Sequence, residues 1–221
     1  MENCTIDDAS KIVGSYREVL GSLFVSYNSW NSGGLFGFAQ NIRIMDCSSS
    51  AQIGDPDVLG AFSTEKTGGL GGAATKIIMQ RCYFDGMIYG KKNVGGLIGD
   101  TRSGIFEDCF FDGKIKAYSA AMGLSFVASN AYLEVKNCYT TGTAEIEYKG
   151  YPFNAYGYQS NETNVDNCYY NKESLEPKYC QDTGRTEGEL KKRKTFVDWD
   201  FNHVWYIEEG TSMPKLKKIE L

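Results

Sequence analysis

The chain has 221 residues, 28 of them acidic and 23 basic, for a formal net charge of −5. That balance leaves no basic face to displace counterions from phosphates, so nucleic acid is not an expected partner. No apolar run approaches the roughly 18 residues of a membrane span, and the first residues lack a charged-then-apolar signal, so no membrane insertion is expected of this segment.

In chain order, Glu2-Asn3-Cys4 resembles Lys136-Asn137-Cys138 and Asp166-Asn167-Cys168, so the sequence reads as opening inside a repeat, with further coils expected upstream in a longer parent. Residues 10–32 lengthen the first unit before Gly33-Gly34-Leu35-Phe36-Gly37 leads to Cys47. Residues 54–67 interrupt again, and Gly68-Gly69-Leu70-Gly71-Gly72 then leads to Cys82 and Gly95-Gly96-Leu97-Ile98-Gly99 to Cys109. In each case the cysteine lies ten residues after the last glycine. A weaker copy runs from Met122-Gly123-Leu124-Ser125-Phe126 to Cys138, and a degraded one from Ala155-Tyr156-Gly157-Tyr158 to Cys168. Successive cysteines from Cys47 to Cys168 are 35, 27, 29 and 30 residues apart. Such a period marks a supersecondary unit that buries its apolar face only by stacking on its neighbours.

Each unit reads as three short strand-like pieces, such as Gly95–Gly99, Gly104–Phe111 and Gly113–Ala117, with apolar residues alternating at period two. Helical spacing is nearly absent before residue 185. The fold class predicted is all-β: a parallel β-helix-like solenoid of about five to six coils over residues 1–183, truncated at its N-terminus. Stacking turns repeated positions into columns. Leu35, Leu70, Leu97 and Leu124 form one expected internal column, and Cys4, Cys47, Cys82, Cys109, Cys138 and Cys168 another. The glycine pairs are expected to serve sharp turns, often with positive φ, and close backbone approach. They lack the flanking strand, helix and lysine of a phosphate loop.

Six of the seven cysteines follow the repeat and not a disulfide framework. In-register partners have Cβ atoms near 4.8 Å, too far for ordinary disulfide geometry at about 3.8 Å, so buried free thiols are expected. Cys180 breaks the period; any bridge would join it to Cys168. No close Cys-x-x-Cys pair supports zinc. Asp7-Asp8 and Asp55-Pro56-Asp57 lack the spacing of a calcium loop. No cofactor is called for.

Residues 184–221 read as a cap. Thr186-Glu187-Gly188-Glu189 is a capping box that predicts a short helix from about Glu187 to Lys194, with Lys191-Lys192-Arg193-Lys194 as its solvated face. Phe196, Trp199, Phe201, Trp205 and Tyr206 are expected to cover the last coil, where an open solenoid end would otherwise template aggregation.

Gly34-Leu35-Phe36-Gly37 and Gly96-Leu97-Ile98-Gly99 resemble the GLUG motif, a short repeat of large bacterial surface proteins that include adhesin-like and IgA-peptidase-type chains. Gly69-Leu70-Gly71-Gly72 fits with a glycine at the usually apolar position. The tail, with Glu189-Leu190-Lys191, Thr195 to Phe201, Trp205-Tyr206-Ile207 and Met213-Pro214-Lys215-Leu216, resembles the segment that often closes such arrays. Phe126 and Tyr158 depart from the pattern and imply wider or bulged coils there. The resemblance implies an extracellular or cell-surface solenoid of adhesive or scaffold type, and it carries no catalytic residues over.

Side-chain chemistry agrees with that implication. The lone His203 has no partner histidine and no nucleophile beside it in sequence. Asp46, Glu107, Asp108, Asp85 and Asp112 recur with the repeat as turn acids, and a polysaccharide-cleaving site would need two of them to converge. Tyr83, Phe110, Tyr139 and Tyr169 each follow a column cysteine, so with the cysteines facing inward these rings face outward. They stabilise one another as a stack or serve as a binding stripe. The lengthened segments, carrying Tyr16, Tyr27, Trp30 and Phe62, are the other expected contact surface. The expectation is a non-enzymatic, monomeric stalk or interaction module whose partners are a host or cell-surface protein or glycan. The alternative is a polysaccharide-binding or polysaccharide-cleaving β-helix.

Overall fold

The computed structural model describes residues 1–2, 4–6, 11–12, 31–55, 65–147, 163–174 and 183–218. Tyr16, Tyr27, Trp30, Phe62, Cys180, Asp7-Asp8, Pro56-Asp57 and the degraded glycine segment around Gly157 lie outside the described residues.

The strands stack in four columns. The first joins β1 (Thr5–Ile6), β5 (Ser48–Ser49), β9 (Tyr83–Phe84), β13 (Phe110–Phe111), β17 (Tyr139–Thr140), β20 (Tyr169–Asn171) and β21 (Gly184–Arg185). The second joins β2 (Lys11–Ile12), β6 (Gln52–Ile53), β10 (Met87–Gly90), β14 (Lys114–Ala117) and β18 (Thr143–Ile146). The third joins β3 (Asn31–Ser32), β7 (Lys66–Gly68), β11 (Val94–Gly95) and β15 (Ala121–Met122). The fourth holds the long strands β4 (Phe36–Met45), β8 (Gly71–Gln80), β12 (Ile98–Glu107) and β16 (Ser125–Lys136), followed by β19 (Thr163–Asp166). Neighbours within every column run parallel. The fold is all-β, a parallel β-helix-like solenoid.

A coil therefore has four strands, not three. The piece expected from Gly104 to Phe111 is split by a corner at Asp108, and the glycine segment feeds directly into the long strand. The ten-residue spacing from glycine to cysteine is the length of that strand, since β4, β8 and β12 each span 10 residues. β16 spans 12 and bulges where residues 128–131 face the single Arg102, in line with the wider coil implied by Phe126.

Alternation along the long strands sends Ile44, Met79, Phe106 and Val135 inward as one register-matched column, all at 0% exposure. Each such side chain contributes about 1.5–3 kcal/mol by burial. The leucines stack beside them. Leu70, Leu97 and Leu124 are fully buried and Leu35, in the first coil, is half-buried. The amides of Leu35, Leu70 and Leu97 donate to the carbonyls of Leu70, Leu97 and Leu124 at 2.8, 2.9 and 2.9 Å.

The reason expected for the glycine pairs needs correction. None of Gly68, Gly69, Gly95 and Gly96 has positive φ; what they supply is absence of bulk. A Cβ on Gly69 would lie 2.2 Å from the Phe84 ring, and one on Gly96 would lie 2.0 Å from the Gly123 carbonyl and 2.3 Å from the Phe111 ring. Left-handed backbone falls instead on the residue before each cysteine: Asp46, Arg81, Asp108, Asn137 and Asn167 have φ between 49° and 54°. Asp and Asn tolerate this region by bonding locally. Arg81 has no such means, and its guanidinium clasps Asp46 of the neighbouring coil at 2.6 and 2.5 Å.

This corner turns the cysteines into more than filler. The thiols of Cys47, Cys82, Cys109, Cys138 and Cys168 each donate to the carbonyl two residues back, at 3.1–3.2 Å, across the left-handed residue. The sulfurs of Cys47, Cys138 and Cys168 also accept the amides of Cys4, Cys109 and Cys138 at 3.3–3.4 Å. All five are fully buried, Cys4 is half-buried, and the six are free thiols. Burial pushes the Cys82 and Cys138 thiols well up, which keeps them protonated as donors. At the chain start, Glu2 pairs in parallel with Met45 and the Cys4 amide bonds Cys47 Sγ, so Glu2 and Cys4 occupy the rung beside Met45 and Cys47.

Two outcomes follow. Gly96→Ala should destabilise by about 3 kcal/mol, the upper end of overpacking costs, whereas Gly188→Ala, with nothing within 4 Å of its added Cβ, should be neutral or slightly stabilising in thermal melts. Cys109→Ala should cost about 0.5–1.5 kcal/mol in chemical denaturation, because it removes one of two donors to the Glu107 carbonyl, which keeps the Arg81 amide.

Candidate functional site

The aromatic stripe is real but closed. Tyr83 and Phe110 stack at 4.6 Å and Phe110 and Tyr139 at 4.9 Å, nearly coplanar in each case. Tyr169 takes the next register position. The rings face out of the rod as alternation requires, yet Phe110, Tyr139 and Tyr169 are only 6%, 1% and 5% exposed. The expectation of an open binding face at Tyr83, Phe110, Tyr139 and Tyr169 is corrected: the C-terminal segment lies over it. Trp30 lies outside the described residues.

That segment was expected over the last coil and instead runs along the side. Thr186 and Glu189 form the capping box, with Glu189 N–H donating to Thr186 Oγ1 and Thr186 N–H to Glu189 Oε2. The helix α1 spans only Glu187–Leu190, shorter than expected, because Lys192 turns extended and swings Phe196 onto Tyr169 at 5.2 Å, edge to face. Trp199 Nε1 donates to the Asn167 carbonyl at 2.8 Å and Trp205 Nε1 to Asp108 Oδ1 at 3.0 Å. Tyr139 OH donates to the Pro214 carbonyl at 2.7 Å. A short antiparallel pair, β22 (Trp205–Tyr206) and β23 (Lys215–Leu216), completes the cover. The tail thus spans successive coils laterally, removing large aromatic faces from water.

The candidate acids are absorbed by structure. Asp46 is held by Arg81, Glu107 accepts Gln80 Nε2 at 2.7 Å, Asp85 accepts Ser50 Oγ at 2.6 Å, and Asp112 accepts Thr141 Oγ1 at 2.5 Å. Partial burial beneath the tail pushes Asp108 up despite its bond from Trp205, whereas Asp112 is exposed. His203 is exposed and pairs with Asp200 within the tail at 2.9 Å. Among the described residues no group of three or more His, Cys, Asp or Glu side chains could hold a metal ion. None of their helices is long and apolar enough to cross a membrane.

The open feature is a groove of about 430 Å³ on the outer face of the long-strand column. It forms where those strands bend. Asn41 and Lys76, at equivalent positions, are left-handed at φ 53° and 57°, and the pairing of β12 with β16 shifts register beside them. Successive coils present Asn41 and Arg43, then Lys76 and Ile78, then Ser103 and Ile105, then Tyr132, with Glu134 at the next register position beside the groove. The result is an outward array two side chains wide and four coils long. With coils about 4.8 Å apart it extends roughly 14 Å along the rod.

One end is cationic, the middle apolar, and the far end carries Tyr132, whose hydroxyl donates to Glu134 Oε2 at 2.9 Å. Among the described residues, Arg43 and Lys76 have no acidic partner within salt-bridge distance. Compared with family models, curated proteins and solved structures, the chain matches none.

Sequence reading did not single out this groove. Period-two alternation marks Arg43, Ile78 and Ile105 as outward, but the bend at Asn41 and Lys76 has no glycine to announce it. Aligning Tyr132 with Ser103 also requires skipping residues 128–131.

The raised carboxyl of Asp108 makes tail docking pH-dependent. A carboxyl raised above its ordinary 3.8 contributes stability that is present below 3.8 and lost as pH rises through the folded value. Asp108→Asn keeps an acceptor for Trp205 Nε1 and suits the left-handed corner, and it removes the half-buried charge. The variant should melt higher than the parent at neutral pH and show a flatter decline between acid and neutral pH; an unchanged profile would contradict the assignment.

Proposed function

We propose that the chain is a non-enzymatic repeat module of a bacterial cell-surface or secreted protein, serving as an adhesin-like stalk or interaction module that binds through the side of its rod. The observation that carries this reading is the contrast between two lateral surfaces: the aromatic stripe is sealed by the chain's own tail, while the groove from Asn41 to Tyr132 is left as an array along the axis. The GLUG-like glycine segments support it, since in every clear copy they do the same work, a tight coil corner with the leucine amide bonded to the next coil. The partner class that fits is a cell-surface polymer lying along the rod.

A polysaccharide-cleaving reading is the less favoured one. Cleavage by paired carboxyls needs two acids roughly 5–10 Å apart flanking one bond, whereas the residues lining the groove include no acid and Glu134 stands beside it on Tyr132, while the raised Asp108 sits beneath the tail. Incubated with a panel of surface polysaccharides, the protein should retain ligand and release no reducing ends. Release of reducing ends that one Asp or Glu substitution abolishes would overturn the non-enzymatic reading.

A further inference from the structure

The groove's own chemistry narrows the ligand, and this step rests on the reading above that the groove is the binding surface. Its floor is the face of a parallel sheet in which Ile78 and Ile105 are half-buried and adjacent in register. The backbone groups of β8 and β12 beneath Ile78 and Ile105 are engaged between coils on both sides, so the middle of the floor has no strand edge to receive an extended peptide; among the described residues the sheet edge is β4, at the Asn41 and Arg43 end. A ligand here must bring its own polar groups around an apolar face.

Tyr132 is 46% exposed, and its hydroxyl is tethered to Glu134, which limits the ring's motion and presents it to whatever lies in the groove. A rigid amphipathic ring of this kind gives contact area at low entropic cost. Pyranose rings have the matching form: C–H faces that lie on Tyr or Ile, and equatorial hydroxyls that reach Asn41, Ser103 and Glu134. At the other end, Arg43 and Lys76 lie on adjacent coils, both exposed and lacking acidic partners among the described residues. Two unneutralised cations beside an apolar floor call for an anion on the ligand. The Arg43 fork suits a carboxylate bidentately, and the Lys76 ammonium adds a point charge.

We propose that the groove binds a segment of an acidic polysaccharide along the rod axis, with a uronic-acid carboxylate held by Arg43 and Lys76, the next sugar over Ile78 and Ile105, and a further ring against Tyr132. Glu134 gives direction to this arrangement, since it disfavours a carboxylate at the tyrosine end. No bond is made or broken.

The test is calorimetric titration of the full chain with an oligogalacturonate of about four sugars, beside a neutral oligoglucan of the same length, a sulfated oligosaccharide and an acidic peptide. The uronate should bind. The double variant Arg43→Gln with Lys76→Gln should weaken it about tenfold or more, the scale of losing one charge-assisted bond. It should also flatten the salt dependence. Lys114→Gln with Lys194→Gln, which removes the same charge from exposed sites outside the groove, should leave affinity unchanged. Tyr132→Ala should weaken binding, and Tyr132→Phe should weaken it less.

Absence of uronate binding, equal losses in both double variants, or preference for the acidic peptide would overturn the proposal. Neutral glucan binding as tightly as uronate would overturn the anionic assignment while leaving the groove as a glycan site. Preference for the sulfated sugar would replace the carboxylate by a sulfate and overturn the uronate assignment. Cleavage of the uronate would sink the non-enzymatic reading and leave the site standing.

Discussion

Every feature of this rod descends from one requirement: the backbone donors and acceptors of a coil must be met, in register, by the coils on either side. A strand of two residues has no independent stability, and most strands outside the long column are of that length. Only the parallel bonds between successive coils hold them. Those bonds demand that equivalent residues approach closely along the axis, which excludes side chains from Gly69 and Gly96 and stacks Leu70 on Leu97. The same demand governs the corner before each cysteine. There the chain turns through a left-handed residue, and the carbonyl before it takes two donors, the corner amide of the neighbouring coil and the thiol across the turn. The cysteine column is therefore a backbone device as much as an apolar one. A side chain that is small, buried and still a donor meets both needs.

A stack closed in this way has sides as well as ends, and the two long sides are treated differently. Along the first column the outward rings from Tyr83 to Tyr169 would present a broad apolar strip to water. The tail covers it with Phe196, Trp199 and Trp205, fixed by bonds from both indole nitrogens and one phenol. The cover brings a carboxyl with it, so Asp108 is partly desolvated as a by-product of hiding aromatics. Along the fourth column the strand bend at Asn41 and Lys76 gives the opposite result, a groove with Arg43 and Lys76 at one end and an anchored tyrosine at the other.

The columns were legible because stacking imposes period on sequence: Leu35, Leu70, Leu97 and Leu124, and the cysteines from Cys4 to Cys168, share a spacing that only a coil explains. The capping box at Thr186 was legible because its two hydrogen bonds are local. The fourth strand per coil was not, since the left-handed corner residue, Asp108 between β12 and β13, is an aspartate in two coils, an asparagine in two and Arg81 in another, and only Asp and Asn hint at that conformation. The path of the tail was hidden as well. Nothing local to Trp205 says that Asp108 will be its partner 97 positions away. The groove depends on a bend without glycine and a bulge without fixed length, and neither leaves a periodic trace.

The in-register stack is tested most directly by nuclear magnetic resonance couplings transmitted through backbone hydrogen bonds in isotopically labelled protein. The amide nitrogens of Leu35, Leu70 and Leu97 should each couple to the carbonyl carbon of the next leucine in the column, Leu70, Leu97 and Leu124 respectively. Couplings from these amides to residues four positions away, or to an antiparallel neighbour within the same coil, would contradict the solenoid and all that is built on it.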